Sequence, residues 1–251
     1  MSNKNKYSYV GITLVILVFG IIFIPKIVDR ISNKDVSREE SRSTTLKPNE
    51  ERDASSDLAY LVINGERKRV PEFKFINQYR DTITNEDYLG KVYVVEFFFT
   101  TCPTICPRMN QNLVQIQNTF QSREDFGIAS FTITPHIDTP EVLKDYAQRF
   151  GITHPNWHLM TGDQETIYKL ANEGFNLYMA EDESVEGGFE HSGNFALIDK
   201  EGYIRSRYDN FGNPLIFYNG IVSEAEGVDD DGISQEITIL KEDITKLLQE
   251  K

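Results

Sequence analysis

The chain has 251 residues, a net charge of −13 at pH 7 and a sequence pI of about 4.8. This acidic balance argues against a protein that binds nucleic acid or an anionic lipid surface, because both repel negative charge. The two cysteines are too few for a disulfide-stapled secreted scaffold, and no second pair completes a structural zinc site. We therefore expect these cysteines to serve chemistry or a single bridge.

An uncharged segment near the N-terminus predicts a membrane anchor. Residues 7–25 lie between Lys6 and Lys26 and contain a long run of Val, Ile, Leu and Phe. As a helix they span roughly 28 Å, which is enough for a bilayer core. The stretch is too long for a typical signal-peptide core, and no small-residue cleavage site follows it. We predict an N-terminal tail at residues 1–6, a single transmembrane helix at 7–25, a polar flexible tether at 26–55 and a folded domain at 56–251.

The folded domain shows strand and helix patterns in alternation. The turn at Asn64-Gly65 predicts an N-terminal hairpin, and Thr139-Pro140-Glu141 predicts a helix start. Further strands are expected at 92–99, 127–134, 157–160, 194–198 and 203–208, and helices at 106–120, 140–150, 163–172 and 233–248. An acidic loop is expected at 180–188. This alternation predicts an α/β sheet covered by helices on both faces.

Both cysteines fall between the strand at 92–99 and the following helix. In the segment Cys102-Pro-Thr-Ile-Cys106-Pro107, Pro107 suits the first helical turn. This predicts that Cys106 caps the helix. Unpaired N–H groups and the helix dipole favour thiolate there, the form that binds soft metals and attacks disulfides. Ligands of such sheets bind beyond the carboxyl ends of the strands, where this turn lies.

A histidine could complete a metal site with the two thiols. His154 and His158 flank a predicted strand start and are expected to be surface or packing residues. His136 follows the strand ending near Thr134 and is expected to be a loop residue, with a ligand role left open. His191 directly precedes a predicted core strand, and its spacing alone leaves a ligand role undecided.

The ordered set of motifs resembles the SCO/SenC family. It comprises Gly90-Lys91-Val92 up to Thr100-Thr101, Cys102-Pro-Thr-Ile-Cys106-Pro107, Asp138-Thr-Pro-Glu-Val-Leu143, Asn156-Trp157 with Thr161-Gly162, and His191 before a strand and an Asp-x-x-Gly turn. The resemblance runs over roughly residues 70 to 250. It implies a membrane-anchored, thioredoxin-like protein of cytochrome c oxidase assembly.

The resemblance also implies a site and a partner. Cys102, Cys106 and His191 are expected to bind copper, on the periplasmic or otherwise extracytoplasmic side of a cell membrane. The expected partner is cytochrome c oxidase subunit II, at its dinuclear copper centre, or a related copper protein.

The sequence departs from the family pattern at two positions. Glu190 replaces the Asp usual before this His. The usual Val-Asp-Pro reads Ile133-Thr-Pro135, so an acidic group near the site is expected to be missing and His136 is retained as an auxiliary candidate.

Two functions are compatible with these residues. The first is a copper metallochaperone for oxidase assembly. The alternative is a thiol–disulfide oxidoreductase that uses Cys102 and Cys106 to reduce that partner or another extracytoplasmic protein. The common redox spacing is Cys-x-x-Cys, whereas this pair encloses three residues, which favours the first function. Whether the protein is an enzyme stays open, and nothing specific in the sequence supports a peroxidase.

Overall fold

The computed structural model describes residues 58–177, 179–181, 189–191, 193–209 and 212–250, together with Thr13, Leu17 and Phe19. The chain divides into two units, Met1–Glu50 and Glu51–Lys251. Thr13, Leu17 and Phe19 have helical backbone, and the rest of the predicted anchor and the whole tether lie outside the described residues. Among the residues that are described, no helix has both the length and the apolar character needed to cross a membrane.

Strands and helices alternate through the second unit. The strands are β1 Ala59–Tyr60, β2 Val62–Ile63, β3 Glu66–Arg67, β4 Lys74–Asn77, β5 Thr82–Thr84, β6 Val92–Phe98, β7 Phe126–Thr132, β8 Trp157–Thr161, β9 Met179–Glu181, β10 Phe189–His191, β11 Asn194–Ile198, β12 Ile204–Ser206 and β13 Tyr218–Asn219. The helices are α1 Ile105–Phe120, α2 Pro140–Phe150, α3 Gln164–Lys169 and α4 Ile237–Gln249. A 3₁₀ turn, Asn85–Tyr88, precedes β6, and a π-helical turn, Leu170–Gly174, extends α3.

One mixed sheet forms the centre of this unit. Its strand order is β1-β12-β11-β6-β7-β8-β4-β5, and β13 adds to β11. Strands β6, β7 and β8 run parallel, because α1 and α2 connect them as crossovers. Strand β11 pairs antiparallel with β6, with Ala196 opposite Val95. The carboxyl ends of β6 and β7 therefore lie side by side, next to the start of β11.

Side chains from β6 show that both faces of the sheet are covered. Phe98 contacts Tyr146 of α2, with ring centroids 5.4 Å apart. The adjacent Phe97 contacts Phe175, just after the π-helical turn, at 5.6 Å. Successive side chains of a strand point to opposite faces. The prediction of an α/β sheet with helices on both faces is confirmed.

Local sequence signals set most element boundaries. Asn64 and Gly65 both adopt positive φ, 55° and 81°, and join β2 to β3 as predicted. Thr139 caps α2 as predicted, accepting a hydrogen bond from Val142 N. The last helix begins at Ile237 rather than at residue 233. This difference arises because Ser234 still bridges Val228, so the chain before Ile237 is held in a turn.

Candidate metal centre

The cysteine turn joins the end of β6 to the start of α1. The Cys102 N–H donates to the Phe99 carbonyl at 3.3 Å, which closes the turn directly after the strand. Thr104 is the N-cap of α1, and Cys106 is the second helical residue. The prediction that Cys106 caps the helix is therefore wrong, because the N-cap lies two residues earlier, at Thr104.

Both cysteines are free thiols, and both are buried. Cys102 is 7% exposed and Cys106 is fully buried. The Cys106 N–H donates to Cys102 Sγ at 3.4 Å, and the Thr104 hydroxyl lies 3.8 Å from the same sulfur. The helix N-terminus thus directs a backbone N–H toward Cys102, the more accessible sulfur. An N–H donor of this kind stabilises a thiolate.

Burial acts in the opposite direction on the second sulfur. Loss of water raises the pKa of the Cys106 thiol well above its ordinary value, and the neighbouring Cys102 raises it further. Cys106 is therefore protonated at neutral pH in the metal-free protein. The prediction that the helix N-terminus favours a thiolate does not hold for Cys106, because its burial raises the pKa of the thiol.

A buried carboxyl group on β6, that of Glu96, was not predicted from the sequence. Glu96 is fully buried, and its Oε1 accepts a hydrogen bond from the Ser130 hydroxyl at 2.6 Å. Burial raises the pKa of Glu96 to about 8. Within the described part of the chain, its Oε2 has no hydrogen-bond partner. Glu96 points to the same sheet face as Phe98, and its ionised form would raise the pKa of Cys106 further.

A second buried carboxyl group corrects the expectation that no acidic group lies near the cysteine turn. Asp138 is fully buried after β7. Its Oδ2 accepts from Thr100 N at 3.2 Å and from the Thr134 hydroxyl at 3.0 Å. Thr100 is two residues before Cys102. The family's acidic position is Thr134 here, and the carboxylate of Asp138 comes back to bond that threonine.

His191 ends β10, where its backbone pairs with Met179 of β9. The structure describes the backbone of His191 and Glu190 but not their side chains, so the ligand role of His191 and the supporting role of Glu190 stay predictions. Two residues later, Gly193 packs tightly, since a Cβ there would lie 2.2 Å from Ile221 Cδ1 and 3.5 Å from Ile105 Cδ1. Ile105 directly precedes Cys106. The segment that carries His191 is therefore anchored beside the start of α1, and the His191 backbone lies within about 7 Å of Gly193.

Of the other three histidines, two are packed inside the domain and one is exposed on a loop. His154 is buried, with Nε2 3.2 Å from the Arg123 carbonyl, and His158 Nδ1 lies 3.2 Å from Asn77 Nδ2. Burial lowers the pKa of both. They are packing residues, as predicted. His136 is exposed on the turn between β7 and α2, so it is a loop residue as expected.

The two buried sulfurs of this turn provide soft ligands of the kind that Cu(I) prefers. Within the described ranges, no three His, Cys, Asp or Glu side chains converge as a metal site. A third ligand from the segment before Gly193 would complete a trigonal set. The donor chemistry of the turn is compatible with copper.

Comparison with known proteins agrees with this fold. The SCO1/SenC family model matches residues 63–226. The SCO1 protein homolog of Bacillus subtilis is 30% identical over 159 residues, covering 62% of this chain and 81% of its own. A protein of Stutzerimonas stutzeri that is named for copper binding is 26% identical, covering 62% and 76%. The solved structure of BsSco is 25% identical, with a TM-score of 0.58, and the match covers 73% of this chain and 95% of BsSco. BsSco is described as a member of the Sco family of cytochrome c oxidase assembly proteins and as having a disulfide switch. The chain belongs to the SCO1/SenC family.

Proposed function

We propose that this protein is a copper metallochaperone that acts in assembly of the dinuclear copper centre of cytochrome c oxidase subunit II. The observation that carries this proposal is the pair of buried sulfurs at the carboxyl end of β6, with the Cys106 N–H 3.4 Å from Cys102 Sγ. Membership of the SCO1/SenC family supports it, as do relatives named for copper binding and for oxidase assembly.

The proposed ligands are Cys102, Cys106 and His191. Thiolates suit Cu(I), and imidazole suits both oxidation states of copper. The anchoring of Gly193 against Ile105 supports the choice of His191, because it brings the preceding backbone near the start of α1. Glu190 is proposed to orient the His191 ring, and His136 is kept as an auxiliary group.

Loading requires that both thiols lose their protons. Because burial raises the pKa of Cys106, binding of the ion must displace that proton. Oxidation of Cys102 and Cys106 to a disulfide would remove both sulfur ligands. The redox state of the pair would therefore decide whether copper is held or released.

We also propose that residues 7–25 anchor the protein and that residues 26–55 tether the domain, residues 56–251, on the extracytoplasmic side. The uncharged run of 7–25 supports the anchor, and membership of the SCO1/SenC family supports the extracytoplasmic side. Membrane fractions washed in alkaline carbonate should retain the full chain and release a variant lacking residues 1–25. Release of the full chain by the same wash would contradict the anchor.

A second candidate function is reduction of the disulfide of a partner protein, and the slight exposure of Cys102, beside a fully buried Cys106, favours it. The Cys102 thiolate would attack one partner sulfur and form a mixed disulfide. The Cys106 thiolate would then attack Cys102 Sγ, leaving Cys102–Cys106 oxidised. Two electrons and two protons pass to the partner, which leaves as a dithiol. The disulfide switch reported for BsSco supports this alternative.

Anaerobic titration of the reduced full chain in detergent separates the two functions. We expect wild type to bind about one Cu(I), and Cys102→Ser and Cys106→Ser to lose at least about tenfold in affinity, since each removes a thiolate ligand. A chain that binds no Cu(I), yet reduces an oxidised subunit II domain in the presence of a copper chelator, would favour the reductase. Thr101→Ser, an exposed change on the same turn, is the matched control and should leave both properties unchanged.

A further inference from the structure

Asp138 connects the cysteine turn to the neighbouring strand end. Its Oδ1 accepts from the Thr100 hydroxyl, and its Oδ2 accepts from Thr100 N at 3.2 Å. Oδ2 also accepts from the hydroxyls of Thr132, the last residue of β7, and of Thr134, the latter at 3.0 Å. One carboxylate thus joins the chain before Cys102 to the end of the adjacent parallel strand.

This carboxylate is fully buried, and its donors among the described residues are neutral hydroxyl and N–H groups. In the part of the chain that the structure describes, no cation forms an ion pair with Asp138. A buried carboxylate is costly unless hydrogen bonds compensate for the lost water, and hydrogen bonds to a charged acceptor are stronger than neutral ones. The arrangement therefore concentrates strong hydrogen bonds on Thr100, at the point where β6 turns toward Cys102.

We propose that Asp138 is a positioning residue for the dithiol. By fixing Thr100 it holds the turn in which Cys102 Sγ accepts the Cys106 N–H, so that the two sulfurs are arranged before any ion or partner arrives. Such preorganisation removes an ordering cost from binding. The consequence for copper rests on the proposed function, whereas the consequence for thiol accessibility does not.

Two substitutions separate the hydrogen bonds from the charge. In Asp138→Asn, the amide oxygen can accept from Thr100 N and a threonine hydroxyl, while the amide nitrogen donates to the rotatable Thr100 hydroxyl. Asp138→Ala removes every one of these bonds. Thr100→Val removes only the hydroxyl bond and keeps the backbone N–H bond. Its effect should therefore lie between the effects of Asp138→Asn and Asp138→Ala.

The first experiment needs no copper. In the reduced full chain, iodoacetamide should modify Cys102 about tenfold faster in Asp138→Ala than in wild type, because the loosened turn exposes the sulfur. Asp138→Asn should stay within about threefold of wild type, and Thr100→Val should show an intermediate rate. The control is Asp243→Ala on α4, another fully buried carboxylate, whose partners Arg207 and Tyr218 lie outside the cysteine turn.

The Cu(I) affinity of the same variants forms the second measurement, and it should fall about tenfold in Asp138→Ala and little in Asp138→Asn. If Cys102 reacted at the wild-type rate in Asp138→Ala, or if Asp243→Ala accelerated the reaction equally, the positioning role would be overturned. Should Asp138→Ala fail to fold, the Thr100→Val rate decides alone, and a wild-type rate there would contradict the proposal. If the wild-type chain bound no Cu(I), the proposed function would be rejected, and the alkylation rates alone would still test the positioning role of Asp138.

Discussion

At the scale of single residues, two buried carboxyl groups accompany the dithiol in different ways. Asp138 accepts hydrogen bonds from Thr100, Thr132 and Thr134, and both of its oxygens are engaged. Glu96 has one bond from Ser130 and an Oε2 without a partner among the described residues. The hydrogen bonds of Asp138 join two strand ends, whereas the burial of Glu96 raises its pKa and favours a neutral acid. Each residue therefore makes a different contribution to the region around the sulfurs.

Glu96 should make stability fall as pH rises. Its pKa is about 8 when folded against an ordinary value of 4.5, so the folded state binds the proton more tightly. The free energy of unfolding should decrease from about pH 4.5 to about pH 8 and then level off. At about 1.4 kcal/mol per pH unit, the loss at pH 7 is about 3 kcal/mol.

Glu96→Gln should remove this contribution. Denaturant unfolding of the reduced full chain, followed by the fluorescence of buried Trp157, measures it at several pH values. The difference between variant and wild type should grow by about 3 kcal/mol in favour of the variant from pH 4.5 to 7. Glu165→Gln, at an exposed position on α3, is the control. Parallel profiles for wild type and Glu96→Gln would contradict a neutral buried acid.

At the scale of elements, the site depends on how the chain after β10 meets α1. Gly193 has room for hydrogen only, because a Cβ would lie 2.2 Å from Ile221 Cδ1. Its carbonyl accepts from Gly220 N at 2.8 Å, which ties the same point to the segment after β13. Ile221 and Ile105 thus form the surface against which this segment rests. The position of His191 relative to the cysteines depends on that contact.

Gly193→Ala should lower the free energy of unfolding by about 1–3 kcal/mol, through overpacking against Ile221. It should also weaken copper binding, since the segment must move away from α1. The double variant with Ile221→Ala should recover much of both losses, because the obstructing methyl groups are removed. Denaturant unfolding and Cu(I) competition measure the two effects. Additive losses in the double variant would show that the contact does not position the segment.

At the scale of the whole molecule, local signals predicted the sheet, its helices and the position of the cysteine turn. Periodicity, the Asn64-Gly65 turn and the Thr139 cap are contained in short stretches of sequence, so they could be read directly. The role of Glu96 was hidden in an apolar run, since its partner Ser130 is 34 residues away. Asp138 was recognised as part of a motif, but its bond to Thr100 appears only when two strand ends meet. The protonated state of Cys106 also depends on packing that spacing does not encode.

The central claim is that copper is held by two sulfurs and one imidazole. Copper X-ray absorption of the Cu(I)-loaded full chain tests it most directly. The account predicts two sulfur neighbours and one nitrogen neighbour in wild type, loss of the nitrogen in His191→Ala, and an unchanged spectrum in His136→Ala. A wild-type spectrum with sulfur neighbours alone, or a nitrogen neighbour that survives His191→Ala, would contradict the account.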